Sequence, residues 1–322
     1  MDGGRRRIVI IGSGIAGVSA AQGARRQDPE ADVTLIGSEP RDPYFRLKLC
    51  DVVSARATDE KLALHPSDWY DGLRITRRTG IAVTAIRTAE RLVELSDGSS
   101  LPYDALVLAT GSVSFLPPVE GAGRPGVHTL WTLEDAHALR DGVAESCREG
   151  TAAVVVGGGL LGLEAAYNIA QAGCGTTVLE ILPRLMARQL DARGAELLAA
   201  RAESLGIRVR TGVRVTALAG GPVEGPDAPV QAVRLDDGTR IEAGVVLFSA
   251  GVRARIELAE RAGIPTGRRI PTDARMRTGT PGIYAAGDCA EPEGYWSGQW
   301  AVARDQGLAA GVNAAGGDTV YT

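Results

Sequence analysis

Residues 7–17 read RIVIIGSGIAG, a short apolar run that leads into three glycines with the spacing G-x-G-x-x-G. A buried strand followed by this pattern and then by an Ala-rich helix is typical of a dinucleotide-binding turn. The first glycine permits a tight turn, the second lets a pyrophosphate approach the backbone, and the third lets the helix pack on the strand. The pattern predicts a dinucleotide site formed by Gly12, Gly14, Ile15, Ala16 and Gly17.

The pattern occurs a second time, as AVVVGGGLLG at 153–162. Two further features recur in the same order. The stretch TGIAVTAI at 79–86 is echoed by TGVRVTAL at 211–218, and the Asp-Gly pair at 97–98 is echoed at 237–238. Three repeats in one order indicate a duplicated unit. The second copy predicts another dinucleotide site, formed by Gly157, Gly159, Leu160, Leu161 and Gly162.

Short apolar runs alternate with helical segments along the chain, as parallel strands covered on both faces do. These runs are 8–11, 33–36, 105–109, 153–156, 177–179 and 245–248. We predict an α/β protein with two Rossmann-like dinucleotide-binding domains, the second inserted in the first. The predicted boundaries are 1–116, 117–247 and 248–322, where the last segment completes the first domain. A Gly/Pro-rich stretch at 220–229 predicts a loop between two strands.

An acidic residue follows the second strand of each predicted unit, Glu39 after 33–36 and Glu180 after 177–179. A carboxylate at this position accepts hydrogen bonds from the ribose hydroxyls and repels a 2′-phosphate. The sequence therefore predicts two dinucleotides, with NADH preferred over NADPH at the second site. Arg184 lies four residues beyond Glu180 and could weaken that preference, so NADPH stays an alternative.

Composition excludes several classes of protein. The chain has 322 residues, 44% of them hydrophobic, and a net charge of −4, which is typical of a soluble protein of two domains. No apolar run is long enough to span a membrane, and the apolar run before Gly12 is too short for a signal peptide, so we expect a cytoplasmic protein that is not bound to a membrane. The mild acidity gives no electrostatic reason to expect nucleic acid. The cysteines and histidines lack metal-ligand spacing, which predicts no metal site: Cys50, Cys147, Cys174, Cys289, His65, His128 and His137.

Further motifs resemble the FAD-dependent pyridine nucleotide-disulfide oxidoreductase superfamily. They are ATG at 109–111, GLLGLE at 159–164 and TPGIYAAGD at 280–288. Within it the chain is most similar to rubredoxin reductases and to the flavin module of assimilatory nitrite reductases, through YFRLKL at 44–49, DWY at 68–70, LMARQLD at 185–191 and WAVARDQG at 300–307. The resemblance implies an FAD-binding domain, an inserted NAD(P)H-binding domain, and an enzyme that moves a hydride from NADH to FAD and electrons onward to an acceptor.

The resemblance also implies the site residues. Asp288 would bind the ribityl chain and the flavin-side phosphate, and Trp300 would contact the flavin ring. Glu164 would lie where the nicotinamide meets the isoalloxazine; the alternative is a carboxylate that merely favours the helix N-terminus. The implied FAD ligands beyond the first glycine motif are Glu39, Arg46, Lys48, Val83, Ala109, Thr110, Gly111, Gly287, Asp288 and Trp300, and those of the nicotinamide nucleotide include Glu164, Glu180 and Gly251.

Two positions depart from the family pattern. Lys48 would stabilise anionic reduced flavin, yet ferredoxin-reductase relatives carry their lysine three positions later, where this chain has Asp51. Relatives also carry an arginine at the position of Trp131. At both positions the chain therefore lacks a cation that relatives carry.

The cysteine pattern bears on the electron acceptor. The paired spacings of thioredoxin or glutathione reductases do not occur. Cys50 does match the position at which single-cysteine oxidases and coenzyme A disulfide reductases keep a redox thiol, although rubredoxin-reductase-like members carry serine there. Cys50 is therefore either a catalytic thiol or an inert small residue, because reactivity requires a depressed pKa.

Relatives usually continue into a further C-terminal domain, whereas this chain stops at Thr322. We expect either a more open flavin face or coverage by another chain, and a homodimer is left open. The expected acceptor is a small rubredoxin- or ferredoxin-like carrier protein or a separate acceptor domain. The alternatives are a single-cysteine NADH oxidase or disulfide reductase that uses Cys50, and an NADH-sensing flavoprotein.

Overall fold

The computed structural model of the chain describes residues 4–221, 225 and 227–322. Of the predicted loop at 220–229, residues 222–224 and 226 lie outside the described residues. The chain divides into two compact units. The first unit comprises Met1–Phe45, Ala63–Val113 and Arg253–Thr322, and the second comprises Arg46–Leu62 and Ser114–Val252.

The helices in the described ranges are α1 (Ile15–Gln27), α2 (Leu49–Val53), α3 (Ser67–Gly72), α4 (Leu133–Arg148), α5 (Leu160–Gln171), α6 (Ala192–Ser204), α7 (Glu257–Arg261) and α8 (Trp300–Ala314), with short 3₁₀ turns at Arg46–Lys48 and Asp59–Leu62. The strands are β1 (Arg7–Ile11), β2 (Asp32–Gly37), β3 (Ile75–Thr79), β4 (Val83–Arg87), β5 (Leu92–Leu95), β6 (Ser100–Pro102), β7 (Ala105–Leu108), β8 (Ser112–Ser114), β9 (Val127–His128), β10 (Ala153–Val156), β11 (Thr176–Glu180), β12 (Ile207–Thr211), β13 (Val215–Ala219), β14 (Ala232–Leu235), β15 (Arg240–Glu242), β16 (Val245–Phe248), β17 (Val252–Ala254), β18 (Ile270–Thr272), β19 (Ile283–Ala285) and β20 (Ala290–Pro292).

The first unit is built on a parallel sheet with the strand order β19-β7-β1-β2-β3. All residues of β7 are buried, because side chains from both faces of the sheet enter hydrophobic clusters. The central strand β1 pairs with β2 on one side and with β7 on the other. The loop that follows β1 therefore lies at the point where the strand order reverses, which is where sheets of this class bind their ligands.

The second unit repeats this plan with the parallel order β12-β11-β10-β16-β9. Each unit also carries a three-stranded antiparallel sheet, β4-β5-β6 in the first and β13-β14-β15 in the second. Their first strand pairs have a register shift at equivalent places, Val83/Ala85 and Val215/Ala217. The Asp-Gly turns match as well, with φ angles of 82° at Gly98 and 84° at Gly238. The predicted α/β class with two Rossmann-like units is confirmed.

The predicted boundaries and the two units differ in three segments, because residues 46–62, 114–116 and 248–252 lie in the second unit, and the longest of these is 46–62. Residues 46–62 were placed in the first domain by the sequence prediction, but they group with the second unit. The reason is local, since α2 packs on α4 and α5 of the second unit.

Helices α1 and α8 approach each other closely within the first unit. A Cβ atom added at Gly23 would lie 2.5 Å from the carbonyl oxygen of Leu308. On the opposing helix, a Cβ at Gly307 or Gly311 would lie 2.2 or 1.9 Å from the carbonyl oxygen of Ala16 or Ala20. Glycine is required at these positions because any side chain would meet backbone rather than a movable neighbour.

Candidate functional site

The glycine motif of the first unit contains two closely packed glycines, Gly12 and Gly17, and one glycine with open space beside it, Gly14. A Cβ at Gly12 would lie 2.0 Å from the carbonyl oxygen of Ala109, and one at Gly17 would lie 1.8 Å from the carbonyl oxygen of Gly12. Gly14 instead has nothing within 4 Å of its Cβ position. It is the N-cap of α1 and supplies no side-chain cap. The N–H groups of Ile15 and Ala16 at this helix start therefore suit a phosphate.

The GD motif lies within the same unit and is held from both sides. Gly287 adopts a φ of 80°, and its N–H donates to Oε1 of the buried Gln306 at 2.9 Å. Asp288 follows it and accepts a 2.6 Å hydrogen bond from the Ser112 hydroxyl on β8. A Cβ at Gly287 would lie 2.8 Å from the Cβ of Ala16, so this motif abuts the start of α1. The geometry fits an FAD in which one motif holds the pyrophosphate and the other holds the flavin side.

The other predicted FAD residues of the first unit lie near the ends of its strands, except Trp300, which lies at the start of a helix. Glu39 follows β2 and accepts a hydrogen bond from the Tyr44 hydroxyl. Thr110 follows β7 and donates through its hydroxyl to the carbonyl oxygen of Arg255 at 2.6 Å. Trp300 begins α8 and stacks on Phe45 with ring centroids 5.6 Å apart. Further positions at strand ends are Val83, Ala109 and Gly111.

The glycine motif of the second unit repeats this division. A Cβ at Gly157 would lie 2.3 Å from the carbonyl oxygen of Ser249, and one at Gly162 would lie 2.0 Å from the carbonyl oxygen of Gly157. Gly159 is the uncapped N-cap of α5 with nothing within 4 Å of its Cβ position. Leu160 and Leu161 at the helix start are exposed, at 67% and 48%. Exposed leucines beside an open helix N-terminus suit a ligand with a charged diphosphate and flat apolar rings.

Glu180 ends β11 and contacts the backbone of the glycine motif. Its carboxylate accepts hydrogen bonds from the N–H of Gly158 at 2.6 Å and from the N–H of Leu182 at 2.8 Å. Arg184 points elsewhere, since it donates to the carbonyl oxygens of Leu190 and Ala187 at 3.2 and 3.1 Å. Its side chain is thus engaged in its own loop. The arrangement places a negative charge beside the glycine motif, whereas the Arg184 guanidinium is bound within its own loop.

Cys50 lies on α2 and is buried within the second unit. Burial raises the pKa of its thiol to about 12, with smaller contributions from the nearby carboxylates of Glu164 and Asp51. A thiol of this kind is protonated at neutral pH and is a poor nucleophile. Cys50 is therefore an unfavourable electron relay in this environment.

Glu164 lies on α5, exposed at the surface of the second unit. Partial desolvation and the neighbouring Asp51 raise the pKa of its carboxyl, while the guanidinium of Arg56 opposes that shift. Arg56 is thus a cation near Glu164. Lys48 itself is exposed at the N-terminal end of α2.

A buried asparagine connects α2 and α5. Asn168 is 1% exposed, and its Oδ1 accepts hydrogen bonds from Ser54 Oγ at 2.7 Å and from Arg56 at 2.6 Å. Its Nδ2 donates to the carbonyl oxygen of Glu164 at 2.9 Å. Arg56 also donates to Asp51 at 2.9 Å. This polar network, the Asn168 network, holds residues 46–62 on the second unit.

Two predicted site residues of the second unit, Arg46 and Gly251, make hydrogen bonds that involve the backbone. Arg46 donates to the carbonyl oxygen of Trp131, the position at which relatives carry arginine. The carbonyl oxygen of Gly251, which has a φ of 100°, accepts from the N–H of Phe115 at 2.9 Å. Ser112, Gln306, Arg56 and Asn168 were not predicted from the sequence. For Asn168, the sequence offered one indication, which is a polar residue on the Ala-rich face of α5.

Within the described part of the chain, no group of three or more histidine, cysteine or acidic side chains gathers as metal ligands. None of the helices there is long and apolar enough to cross a membrane.

Comparison with known proteins identifies the family. The family model described as pyridine nucleotide-disulphide oxidoreductase matches residues 6–307. The chain belongs to this family. As a family member it is an oxidoreductase that uses FAD and a nicotinamide nucleotide, as the two glycine motifs predict.

The chain is similar to several reductases of this pyridine nucleotide-disulphide oxidoreductase family. It is 38% identical to rhodocoxin reductase of Rhodococcus erythropolis, over 88% of this chain and 64% of that protein. It is 34% identical to the nitrite reductase [NAD(P)H] of Bacillus subtilis (strain 168), over 90% of this chain and 35% of that protein. Among solved structures, NADH:rubredoxin oxidoreductase from Clostridium acetobutylicum superposes with a TM-score of 0.82 at 29% identity, over 99% of this chain and 77% of that one. The chain thus spans about a third of the nitrite reductase and under two thirds of rhodocoxin reductase.

Proposed function

We propose that this protein takes a hydride from NADH and passes electrons through FAD to a small redox carrier protein of the rubredoxin or ferredoxin type. The observation that carries the proposal is the pair of uncapped helix starts at Gly14 and Gly159, each with open space beside the glycine. The similarity to a rubredoxin oxidoreductase and to rhodocoxin reductase supports a carrier protein as acceptor.

Each residue has a defined task in this proposal. The helix start at Gly14 and Asp288 would hold FAD, and the helix start at Gly159 with Glu180 would hold NADH. FAD supplies the hydride acceptor and can release electrons one at a time. Glu164 would orient the nicotinamide carboxamide, and Lys48 would contribute positive charge that favours the reduced, anionic flavin.

The carrier protein can be identified by which acceptor reoxidises the reduced flavin. The protein is first reduced with one equivalent of NADH in a stopped-flow instrument, and rubredoxin, ferredoxin or a quinone is then added. We expect rapid return of the oxidised flavin spectrum with at least one of the two carrier proteins. Failure of all three acceptors, with turnover near zero and NADH-dependent assembly, would instead favour an NADH-sensing protein.

The alternative of a thiol enzyme predicts a different mutant result. Because the Cys50 thiol is buried and its pKa is raised, we expect Cys50→Ser to retain NADH-dependent carrier reduction within about twofold. Steady-state turnover with the carrier and with oxygen or coenzyme A disulfide measures this. A loss of disulfide or oxygen reduction in the variant, with wild-type activity present, would support the thiol enzyme.

The choice of nicotinamide nucleotide is expected to depend on Glu180. Glu180→Gln removes the negative charge that would repel a 2′-phosphate, so the KM for NADPH should fall and the NADH preference in kcat/KM should drop about tenfold or more. Glu196→Gln, an exposed change on α6, serves as the control. An unchanged preference in Glu180→Gln would contradict this role.

A further inference from the structure

Two cysteines of the second unit lie side by side, away from both glycine motifs. Cys147 is in the last turn of α4, and Cys174 is in the connection between α5 and β11. The Cys147 sulfur lies 3.9 Å from the carbonyl oxygen of Ala172, and the Cys174 sulfur lies 3.9 Å from the hydroxyl of Ser146. Each sulfur thus contacts a residue that lies one or two positions from the other cysteine in the sequence. Burial, together with the neighbouring Cys174, raises the pKa of Cys147 to about 11.

The two thiols differ in access. Cys147 is partly exposed, whereas Cys174 is 4% exposed and also contacts the carbonyl oxygen of Thr151 at 3.8 Å. An oxidant from solvent therefore reaches Cys147 first, and Cys174 is positioned behind it. The other two cysteines, Cys50 and Cys289, are buried, and the Cys289 sulfur lies 3.4 Å from the carbonyl oxygens of Leu108 and Ala286 in the first unit.

We propose that Cys147 and Cys174 are a redox modification site that hydrogen peroxide converts to an intrachain disulfide. Because burial raises the pKa of Cys147, only a small fraction of this thiol is ionised at neutral pH, and the reaction is slow there and faster at higher pH. The thiolate fraction attacks one peroxide oxygen, which gives a sulfenic acid and releases hydroxide. The Cys174 sulfur then attacks the Cys147 sulfur, the S–O bond breaks, and water leaves after proton transfer. Overall, two thiols and one peroxide give one disulfide and two waters. The disulfide joins the end of α4 to the segment that leads into β11, the strand that ends at Glu180.

The test uses the purified holoprotein treated with hydrogen peroxide, followed by alkylation of the remaining thiols under denaturing conditions and mass spectrometry. We expect the number of free thiols to fall from the 4 cysteines of the sequence to two, with one cross-linked peptide pair that contains Cys147 and Cys174. Because the thiolate is the reactive form, the rate should rise about tenfold between pH 8 and pH 9. Thermal unfolding of the cross-linked protein should shift upward by several degrees.

Matched variants assign the cross-link. Cys147→Ser and Cys174→Ser should each lack it, whereas Cys50→Ser should form it as the wild type does. The proposal is overturned if wild-type protein keeps all its thiols, if Cys147 proceeds to sulfinic acid without a cross-link, or if the bond joins other cysteines. The wild-type measurement decides these outcomes even where a variant fails to fold. None of them depends on the electron acceptor, so the proposed function stands or fails separately.

Discussion

Gly14→Val should yield a folded but colourless protein that does not retain FAD. The φ of Gly14 is −76°, in the extended region that any residue adopts, and its Cβ position is open. Valine therefore fits the backbone without strain, but its side chain occupies the space through which a pyrophosphate reaches the start of α1. We expect the Kd for FAD to rise by at least about 100-fold, which corresponds to about 2.7 kcal/mol. Flavin absorbance of the purified protein and titration with FAD measure the effect.

Gly159→Val should give the reciprocal result. Its φ of −82° and open Cβ position match those of Gly14. The purified variant should be yellow, with FAD bound at the wild-type ratio. The NADH concentration that gives half-maximal reduction of the flavin should be much higher than for the wild type. Gly123→Val is the control, because Gly123 also has open space and lies outside both motifs. Loss of FAD in Gly159→Val, or retention of FAD in Gly14→Val, would contradict the assignment of the two sites.

Asn168→Ala should destabilise the second unit more than any single surface change. The substitution removes the acceptor shared by Ser54 Oγ and Arg56, and it also removes the hydrogen bond from Asn168 Nδ2 to the Glu164 carbonyl oxygen. A buried network broken in this way costs about 2 to 3 kcal/mol. Urea denaturation gives the loss of stability. Hydrogen exchange should show the amides of residues 46–62 losing protection before the rest of the unit.

Ser54→Ala provides the graded control for the Asn168 network. It removes the single hydrogen bond from Ser54 Oγ to Asn168, at a cost of about 1 kcal/mol. Equal destabilisation by the two substitutions, or unchanged exchange of residues 46–62 in Asn168→Ala, would show that this segment is held by other contacts.

The sequence predicted what local chemistry determines. The glycine motifs, the acidic residues Glu39 and Glu180, and the duplicated sheets follow from the steric and charge requirements of single residues at fixed spacing. In the structure, both glycine motifs lie between a central strand and a helix start. These parts were predictable because each depends on a short stretch of chain.

Long-range polar contacts were not predictable in the same way. The hydrogen bond from Ser112 to Asp288 joins residues 176 positions apart, and that from Arg56 to Asn168 joins residues 112 apart. No spacing rule in one sequence connects such pairs. The thiol chemistry of Cys50 depends likewise on burial and neighbouring carboxylates, which only the fold brings together. For the same reason the sequence left the role of Cys50 open.

The grouping of residues 46–62 with the second unit means that the polypeptide passes from one unit to the other at 45/46, 62/63, 113/114 and 252/253. Neither half can be excised as one continuous fragment. If residues 114–252 were expressed alone, they would lack residues 46–62, which cover Asn168. The polar atoms of the Asn168 side chain would then face solvent. A chimaera that exchanges the second unit with that of a relative should therefore transplant both 46–62 and 114–252, because these two pieces pack on each other.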